Sequence, residues 1–282
     1  MGKSRKWIAL LLIVLLVICT IFPVVAFGAN ALGSDEVVIL FDISTSMSWY
    51  DTGFLAPNAL QQLVQTLPAH WHVGLVTFDT DVVDVVAPSA NSRPIIHAIL
   101  DDVQYNNWTN SGAGIFQAME LFSENALSRT IVFVTDGEKA NMPNNAATIA
   151  ATELAEDAIA LLVASDIIVH SIVIEYAFDI RHEAIMNLSA NTGGMLFEGV
   201  SSEELSNTAF QLLSDALSVA GTVVGRTQAT DQLSNLIISL PAVDRAQVLL
   251  KAEAEIENIS VSGTGRSVEI INGSRFAVID IL

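Results

Sequence analysis

The chain has 282 residues, 51% of them hydrophobic, which allows one domain of ordinary size and a smaller second one. Its formal net charge of −19 argues against nucleic acid or an anionic membrane surface as a partner, because either would repel the protein. The single cysteine, Cys19, lies in an N-terminal apolar stretch, so the sequence after it offers no disulfide and no cysteine nucleophile.

Residues 1–31 have the pattern of an export signal. Three basic residues open the segment, residues 7–27 are almost wholly apolar, and Ala29-Asn30-Ala31 matches a small-residue cleavage site. An uncleaved membrane anchor is the alternative, because the apolar stretch is about as long as the roughly 20 residues that span a bilayer. Either interpretation places the rest of the chain outside the cytoplasm, secreted or at the cell surface, since the basic end stays inside.

Strand and helix patterns alternate over residues 35–219. This alternation predicts an α/β domain with a doubly wound, mainly parallel sheet, one antiparallel edge strand and helices on both faces. The predicted strands are 37–41, 73–78, 82–86, 130–135, 167–174 and 194–198. The predicted helices are 57–67, 95–100, 115–122, 144–164, 180–191 and 203–217.

From about residue 220 the pattern changes to short strands separated by turns. The predicted strands here are 236–240, 247–252, 259–262, 267–271 and 275–282. They indicate a small β-rich module over residues 220–282. Because the sequence stops on the apolar run 277–282, we expect this module to be incomplete.

Two predicted strands are each followed by an acid. Asp42 comes directly after the first strand and opens an Asp-x-Ser-x-Ser motif with Ser44 and Ser46, and Asp136 follows the strand at 130–135. Open α/β sheets bind ligands beyond the carboxyl ends of their strands, so we expect these oxygen atoms to lie at one edge. Such donors suit a hard cation, whereas zinc and copper prefer cysteine or histidine.

A polar loop between the two acids offers a further hydroxyl group. It covers residues 106–114 and leads into the predicted helix at 115–122. Both Thr109 and Ser111 are available in it, and spacing favours Thr109. The sequence therefore predicts a cation site built from carboxylate and hydroxyl oxygen atoms.

In this order the motifs resemble the von Willebrand factor type A family and its metal-ion-dependent adhesion site, over roughly residues 36–218. The positions that match the family's motifs are Asp42, Ser44, Ser46, Thr109 and Asp136. The resemblance implies that these residues hold Mg²⁺, with Mn²⁺ or Ca²⁺ as alternatives, and that the ion takes an acidic side chain from a protein partner. Together with the export signal at 1–31, the resemblance implies an exported adhesion protein and not an enzyme.

Other interpretations account for parts of the sequence. A structural or assembly module of the cell envelope would use the same fold without metal. A simpler interpretation of the first motif makes Asp42 a helix cap, with Ser44 and Ser46 as turn residues. That interpretation leaves the placement of Thr109 and Asp136 unexplained.

Two further motifs bear on enzymatic function. Asp79-Thr80-Asp81 resembles the Asp-x-Asp nucleophile motif of haloacid-dehalogenase-type phosphatases, but an apolar strand follows at once, which favours a hairpin turn. That family also needs a lysine before its final acids, whereas Lys139 comes after Asp136. The five histidines, at positions 70, 72, 97, 170 and 182, show no metal-binding spacing.

Overall fold

The computed structural model describes residues 33–174, 183–201, 204–212, 246–251, 268–272 and 276–281. Its strands are β1 (Asp35–Asp42), β2 (His72–Phe78), β3 (Val82–Ser89), β4 (Thr109–Asn110), β5 (Ser128–Thr135), β6 (Ala140–Asn141), β7 (Ile168–Ile174), β8 (Leu196–Val200), β9 (Ala246–Lys251), β10 (Val268–Asn272) and β11 (Phe276–Ile281). Its helices are α1 (Met47–Tyr50), α2 (Leu55–Thr66), α3 (Arg93–Asp101), α4 (Ser111–Glu120), α5 (Asn145–Val163), α6 (Glu183–Met186), α7 (Leu188–Thr192) and α8 (Leu205–Gln211).

A six-stranded sheet with the order β3-β2-β1-β5-β7-β8 forms the centre of the domain. All neighbouring pairs are parallel except β2 and β3, which form the antiparallel hairpin expected from the sequence. Helices α2, α3 and α8 pack on one face of the sheet, and α4 to α7 pack on the other. The predicted doubly wound α/β fold with one antiparallel edge strand is confirmed.

The central strand β1 is apolar throughout because both of its faces are covered. Val37, Ile39 and Phe41 face one core cluster, while Val38 and Leu40 face the other, and all five are at most 1% exposed. This double burial explains why β1 reads in the sequence as a continuous apolar run rather than an alternating one.

Helix α2 begins where the carboxylate of Asp51 accepts the first backbone N–H groups of the helix. Its two oxygen atoms accept hydrogen bonds from the N–H groups of Leu55 at 2.7 Å and Ala56 at 2.9 Å. The hydroxyl of Tyr105 donates a third bond to the same carboxylate at 2.6 Å. These bonds satisfy helix-terminal donors and tie the segment after α1 to the loop before β4.

Two predicted elements near residue 190 differ in their bounds. The helix predicted over 180–191 is, in its described part, the two short helices α6 and α7, which meet at Asn187, a weak helix former that favours helix ends. Strand β8, the last strand of the six-stranded sheet, begins at Leu196, whereas the sequence predicted its start at residue 194. Gly194 lies so close to β7 that a Cβ atom there would be 1.9 Å from the Val169 carbonyl oxygen, so this residue serves a close crossing.

The strands β9, β10 and β11 form an antiparallel sheet with the order β10-β11-β9. Their bounds agree to within one residue with three strands predicted from the sequence, those at 247–252, 267–271 and 275–282. The strands predicted at 236–240 and 259–262, the end of the helix predicted over 203–217, and the export signal at 1–31 fall outside the described residues. Within the described part of the chain, no helix combines the length and the apolar character needed to cross a bilayer.

The burial of His170 on β7 predicts a dependence of stability on pH. Burial lowers its pKa to about 4, and its Nδ1 atom accepts a hydrogen bond from the Met195 backbone N–H at 3.0 Å. Since the pKa is near 6.5 in the unfolded chain, the stability that the neutral ring provides is complete above pH 6.5 and is lost as the pH falls towards 4.

We therefore expect acid to destabilise the wild type more than the variant His170→Asn, whose Oδ1 can accept the same bond. Between pH 7 and pH 5 the wild type should lose about 2 kcal/mol more of its free energy of unfolding, at 1.36 kcal/mol per pKa unit. Urea denaturation of both proteins at the two pH values measures this difference. Parallel losses in the two proteins would show that His170 does not carry the effect.

Candidate functional site

The site lies at the carboxyl edge of the sheet, where Asp42 ends β1. Its side chain is fully buried, with Oδ1 accepting the Ser44 backbone N–H at 2.9 Å and Oδ2 accepting the Thr135 hydroxyl at 2.9 Å. Thr135 is the last residue of β5, which pairs with β1 in parallel. The parallel register therefore brings the ends of two strands that are far apart in sequence to one point.

The two serines of the first motif face each other. The hydroxyl oxygen atoms of Ser44 and Ser46 are 3.1 Å apart, and both residues are buried. Ser46 precedes the short helix α1, but its side chain makes no capping hydrogen bond to that helix. The acid likewise bonds Ser44 and Thr135 rather than the start of α1, so helix capping does not explain the motif.

Asp136 follows β5 directly and is also buried, at 1% exposure. Its Oδ1 accepts the Glu138 backbone N–H at 3.1 Å, whereas its Oδ2 is buried with no hydrogen-bond partner. Burial raises the pKa of Asp136, and the Ser46 hydroxyl, which is near the carboxylate but makes no hydrogen bond to Oδ2, and the Glu138 N–H partly oppose that rise. A buried carboxylate oxygen without a partner is costly, so this atom marks a place where a ligand would be favourable.

The two acids interact electrostatically. Burial, and then repulsion by Asp136, raise the pKa of Asp42 to about 8, although hydrogen bonds from Ser44 and Thr135 act in the opposite direction. Two carboxylates that share a buried site resist simultaneous ionisation, because each charge destabilises the other. A positive charge between them would relieve both the repulsion and the desolvation.

Thr109 reaches this edge through a strand pair that the sequence did not predict. The two-residue strands β4 and β6 are antiparallel, with Thr109 opposite Asn141. The Thr109 hydroxyl donates to Oε2 of Glu138 at 3.0 Å, and the backbone of Glu138 is bonded to Asp136. The other hydroxyl considered from the sequence belongs to Ser111, the first residue of α4. It donates a hydrogen bond to the Lys139 carbonyl.

The sequence analysis missed two residues that bond the predicted site residues. Thr135 bonds Asp42, and Glu138 accepts the Thr109 hydrogen bond while remaining 8% exposed. Burial raises the pKa of Glu138, and the bond from Thr109 opposes that rise. Both residues flank Asp136 in the chain, and this adjacency was the one signal available in the sequence.

The carboxylate of Asp79, the first acid of the phosphatase-like motif, is hydrogen-bonded at the β2–β3 hairpin turn. Asp79 accepts the Asp81 backbone N–H at 3.1 Å and the Asn107 side-chain amide at 2.7 Å. The backbone N–H of Asp79 in turn donates to the Asp81 carbonyl at 2.9 Å. These contacts are those of a hairpin turn, the alternative that the following strand favoured.

The donor set fits a hard cation that keeps water ligands. Among the described residues, no three side chains of His, Cys, Asp or Glu converge so as to hold a metal by themselves. The strand edge offers instead two carboxylates and several hydroxyl groups. Mg²⁺ is commonly held by one or two carboxylates with water in the other positions, so a set of this kind suits it.

The protein is therefore a doubly wound α/β domain that carries buried carboxylate and hydroxyl oxygen atoms at the carboxyl edge of its sheet. The family model described as von Willebrand factor type A domain matches residues 36–211. The chain belongs to the von Willebrand factor type A family, as the motifs suggested. No curated protein sequence matches it.

Solved structures share the fold at low sequence identity. A von Willebrand factor type A protein from Catenulispora acidiphila is 14% identical with a TM-score of 0.53, and the match covers 88% of this chain and 57% of that one. The pilus adhesin SpaC from Lactobacillus rhamnosus GG is 11% identical with a TM-score of 0.50, and the match covers 90% of this chain and 37% of that one. The conserved hypothetical protein BatB from Bacteroides thetaiotaomicron is 18% identical with a TM-score of 0.47, and the match covers 64% of this chain and 98% of that one. At these identities the likenesses to the Catenulispora acidiphila protein and to SpaC show the fold alone.

Proposed function

We propose that this chain is an exported, metal-dependent protein-binding domain. Its ion is Mg²⁺, with Mn²⁺ or Ca²⁺ as alternatives, and the ion captures an acidic side chain of a protein partner. The residues that hold it are Asp42, Ser44, Ser46, Thr109 and Asp136. The observation that carries the proposal is the buried, unpartnered Oδ2 of Asp136 beside a second buried carboxylate, Asp42.

The electrostatics favour a cation at this edge. Among the described residues, the salt bridges are Arg129 with Asp166 and Lys139 with Glu156, so neither site acid has a basic partner there. An uncompensated buried charge is strongly destabilising, and a divalent ion would compensate both carboxylates at once. The protein would then gain stability from the ion, by an amount that rises with the logarithm of the ion concentration once this exceeds the dissociation constant.

The neutral hydroxyl ligands explain why the bound ion would take a further ligand from a partner protein. Ser44, Ser46 and Thr109 contribute neutral oxygen atoms, which leave more of the positive charge of the ion unneutralised than carboxylates would. A carboxylate from another protein is then a favourable further ligand. Export to the cell surface or the medium follows from the basic and apolar segment at 1–31, and a pilus adhesin shares this fold.

An array of acidic peptides tests the proposed function. Each peptide carries a central Glu or Asp and is paired with the matching Gln or Asn peptide, and the purified chain is applied with Mg²⁺ or with EDTA. We expect binding to acidic members only, in Mg²⁺ only, and none by the variant Asp136→Asn. Binding that survives EDTA and amidation would favour the metal-independent envelope module instead.

Thr109 and Ser111 provide a matched pair of hydroxyl variants. Thr109→Val removes the proposed ligand while keeping the shape of the side chain, and we expect it to weaken Mg²⁺ binding about 10-fold or more. Ser111→Ala removes a hydroxyl that is bonded to the Lys139 carbonyl, so it should cost about 1 kcal/mol of stability and leave Mg²⁺ affinity unchanged. Calorimetric titration with Mg²⁺ compares them. The reverse order of effects would assign the ligand to Ser111.

A further inference from the structure

Two exposed tryptophans flank the candidate cation site, and together we call them the tryptophan rim. Trp49 lies three residues after Ser46 and is 61% exposed, and Trp108 lies directly before Thr109 and is 43% exposed. We propose that the tryptophan rim is a docking surface for a polypeptide segment whose acidic residue is flanked by apolar or proline residues. This inference rests on the proposed function, and it adds the chemistry of the partner around its carboxylate.

Backbone hydrogen bonds join the two chain segments that carry the rim, the one that leads into α1 and the one before β4. The Thr45 backbone N–H donates to the Asn107 carbonyl at 3.2 Å, and the Asn106 N–H donates to the Ile43 carbonyl at 2.9 Å. The segment that holds Ser44 and Ser46 is therefore bonded directly to the segment that precedes Thr109. Both tryptophans thus belong to one surface around the proposed ligands.

The backbone of the rim is held while its rings are exposed. The Trp108 N–H donates to the Thr80 hydroxyl at 3.2 Å, and the Trp49 N–H donates to the Ser46 carbonyl at 3.0 Å. A large exposed aromatic side chain on a fixed backbone loses little conformational freedom when it binds, and tryptophan is enriched among the residues that dominate interface energies. Such an arrangement fits a binding surface better than it fits a structural role, because these rings contribute little to the core.

The charge of the rim separates it from the rest of the protein. Residues 43–50 and 105–110 carry no charged side chain, in a chain with a net charge of −19. The exposed acid on the adjoining hairpin turn is Asp81. An incoming carboxylate therefore meets no acidic side chain in these two segments, and the residues beside it meet indole rings rather than charges. Apolar and proline neighbours complement such a surface.

The polar groups of the two rim segments are partly bonded within the chain. The amide of Asn107 donates to Asp79, the amide of Asn110 donates to the Thr80 carbonyl at 3.1 Å, and the Ser48 hydroxyl donates to the Thr45 carbonyl at 2.7 Å. The side chains of Thr45 and Asn106 are exposed in the same segments, so they are available to the backbone groups of a bound polypeptide.

A displayed library of heptapeptides tests the inference. One library has a fixed central Glu and random flanks, its counterpart has a central Gln, and both are selected on the full chain in Mg²⁺ and, separately, in EDTA. We expect the Glu library to be enriched in Trp, Tyr, Phe, Leu or Pro at the flanks. Trp49→Ala and Trp108→Ala should each weaken an enriched peptide about 10-fold or more while leaving the Mg²⁺-induced thermal shift unchanged.

Leu127→Ala is the control, because Leu127 is 70% exposed just before β5, at the opposite edge of the sheet, and should have no effect on peptide binding. Enrichment of Lys or Arg flanks, no enrichment, or binding that is unchanged in both tryptophan variants would overturn the inference. Binding of a hyaluronan tetrasaccharide with the same tryptophan dependence would overturn the choice of a polypeptide. Equal enrichment of the Gln library in EDTA would instead refute the proposed function and leave the rim in place.

Discussion

Saturating Mg²⁺ should raise the melting temperature of the wild-type chain by about 5–10 °C, and Asp136→Asn should abolish this shift. An ion present at about 100 times its dissociation constant stabilises the folded state by about 2.7 kcal/mol, and 1 kcal/mol corresponds to about 2–4 °C for a chain of this size. The variant keeps the shape of the side chain and the oxygen that accepts the Glu138 N–H. It removes the negative charge whose second oxygen has no partner.

The matched control for this experiment is Asp35→Asn. Asp35 begins β1 and Asp42 ends it, so the two acids lie at opposite ends of the same strand. Asp35→Asn should therefore keep the full response to Mg²⁺, as measured by scanning calorimetry with Mg²⁺ and with EDTA. A wild-type melting temperature that is the same in both conditions would refute the metal site, and an equal shift in Asp136→Asn would remove Asp136 from it.

Asp42→Asn should stabilise the metal-free protein at pH 8 even though it removes the response to Mg²⁺. Burial and the repulsion by Asp136 raise the pKa of Asp42 from 3.8 to about 8 in the folded state. The folded protein therefore binds a proton that the unfolded chain has released, and the stability of the wild type falls as the pH rises from about 4 to 8. Asparagine mimics the protonated acid, so its contribution does not change over this range.

The size of this effect is set by the distance between the two pKa values. At 1.36 kcal/mol per unit, the wild type should lose on the order of 4 kcal/mol relative to Asp42→Asn between pH 5 and pH 8. Urea denaturation in EDTA at the two pH values measures the loss, and the difference between the proteins removes contributions that they share, such as that of His170. If the wild type gained stability relative to the variant as the pH rose, Asp42 would not be buried beside a second charge.

Local pattern was sufficient for the main elements of the domain. The continuous apolar runs of β1 and β5 predicted strands that are buried on both faces, and the short polar turn at 79–81 predicted the antiparallel hairpin. The bounds near Gly194 were not predictable, because the glycine is required by its approach to Val169 in β7, a contact between distant segments. Likewise, Asn187 by itself does not distinguish one helix over 180–191 from two that meet there, because the helix propensity of one asparagine is a weak signal.

The candidate site divides in the same way. The sequence by itself determined the carboxylates and hydroxyls at two strand ends, because a strand that is buried on both faces ends where its first polar residues begin, at Asp42 and at Asp136. Only the tertiary structure decided where the two candidate hydroxyls of the polar loop go, since the Thr109 hydroxyl donates to Glu138 and the Ser111 hydroxyl donates to the Lys139 carbonyl. It also decided that Asp136 Oδ2 lacks a partner and that Trp49 and Trp108 are exposed, because burial and exposure depend on which distant segments pack together.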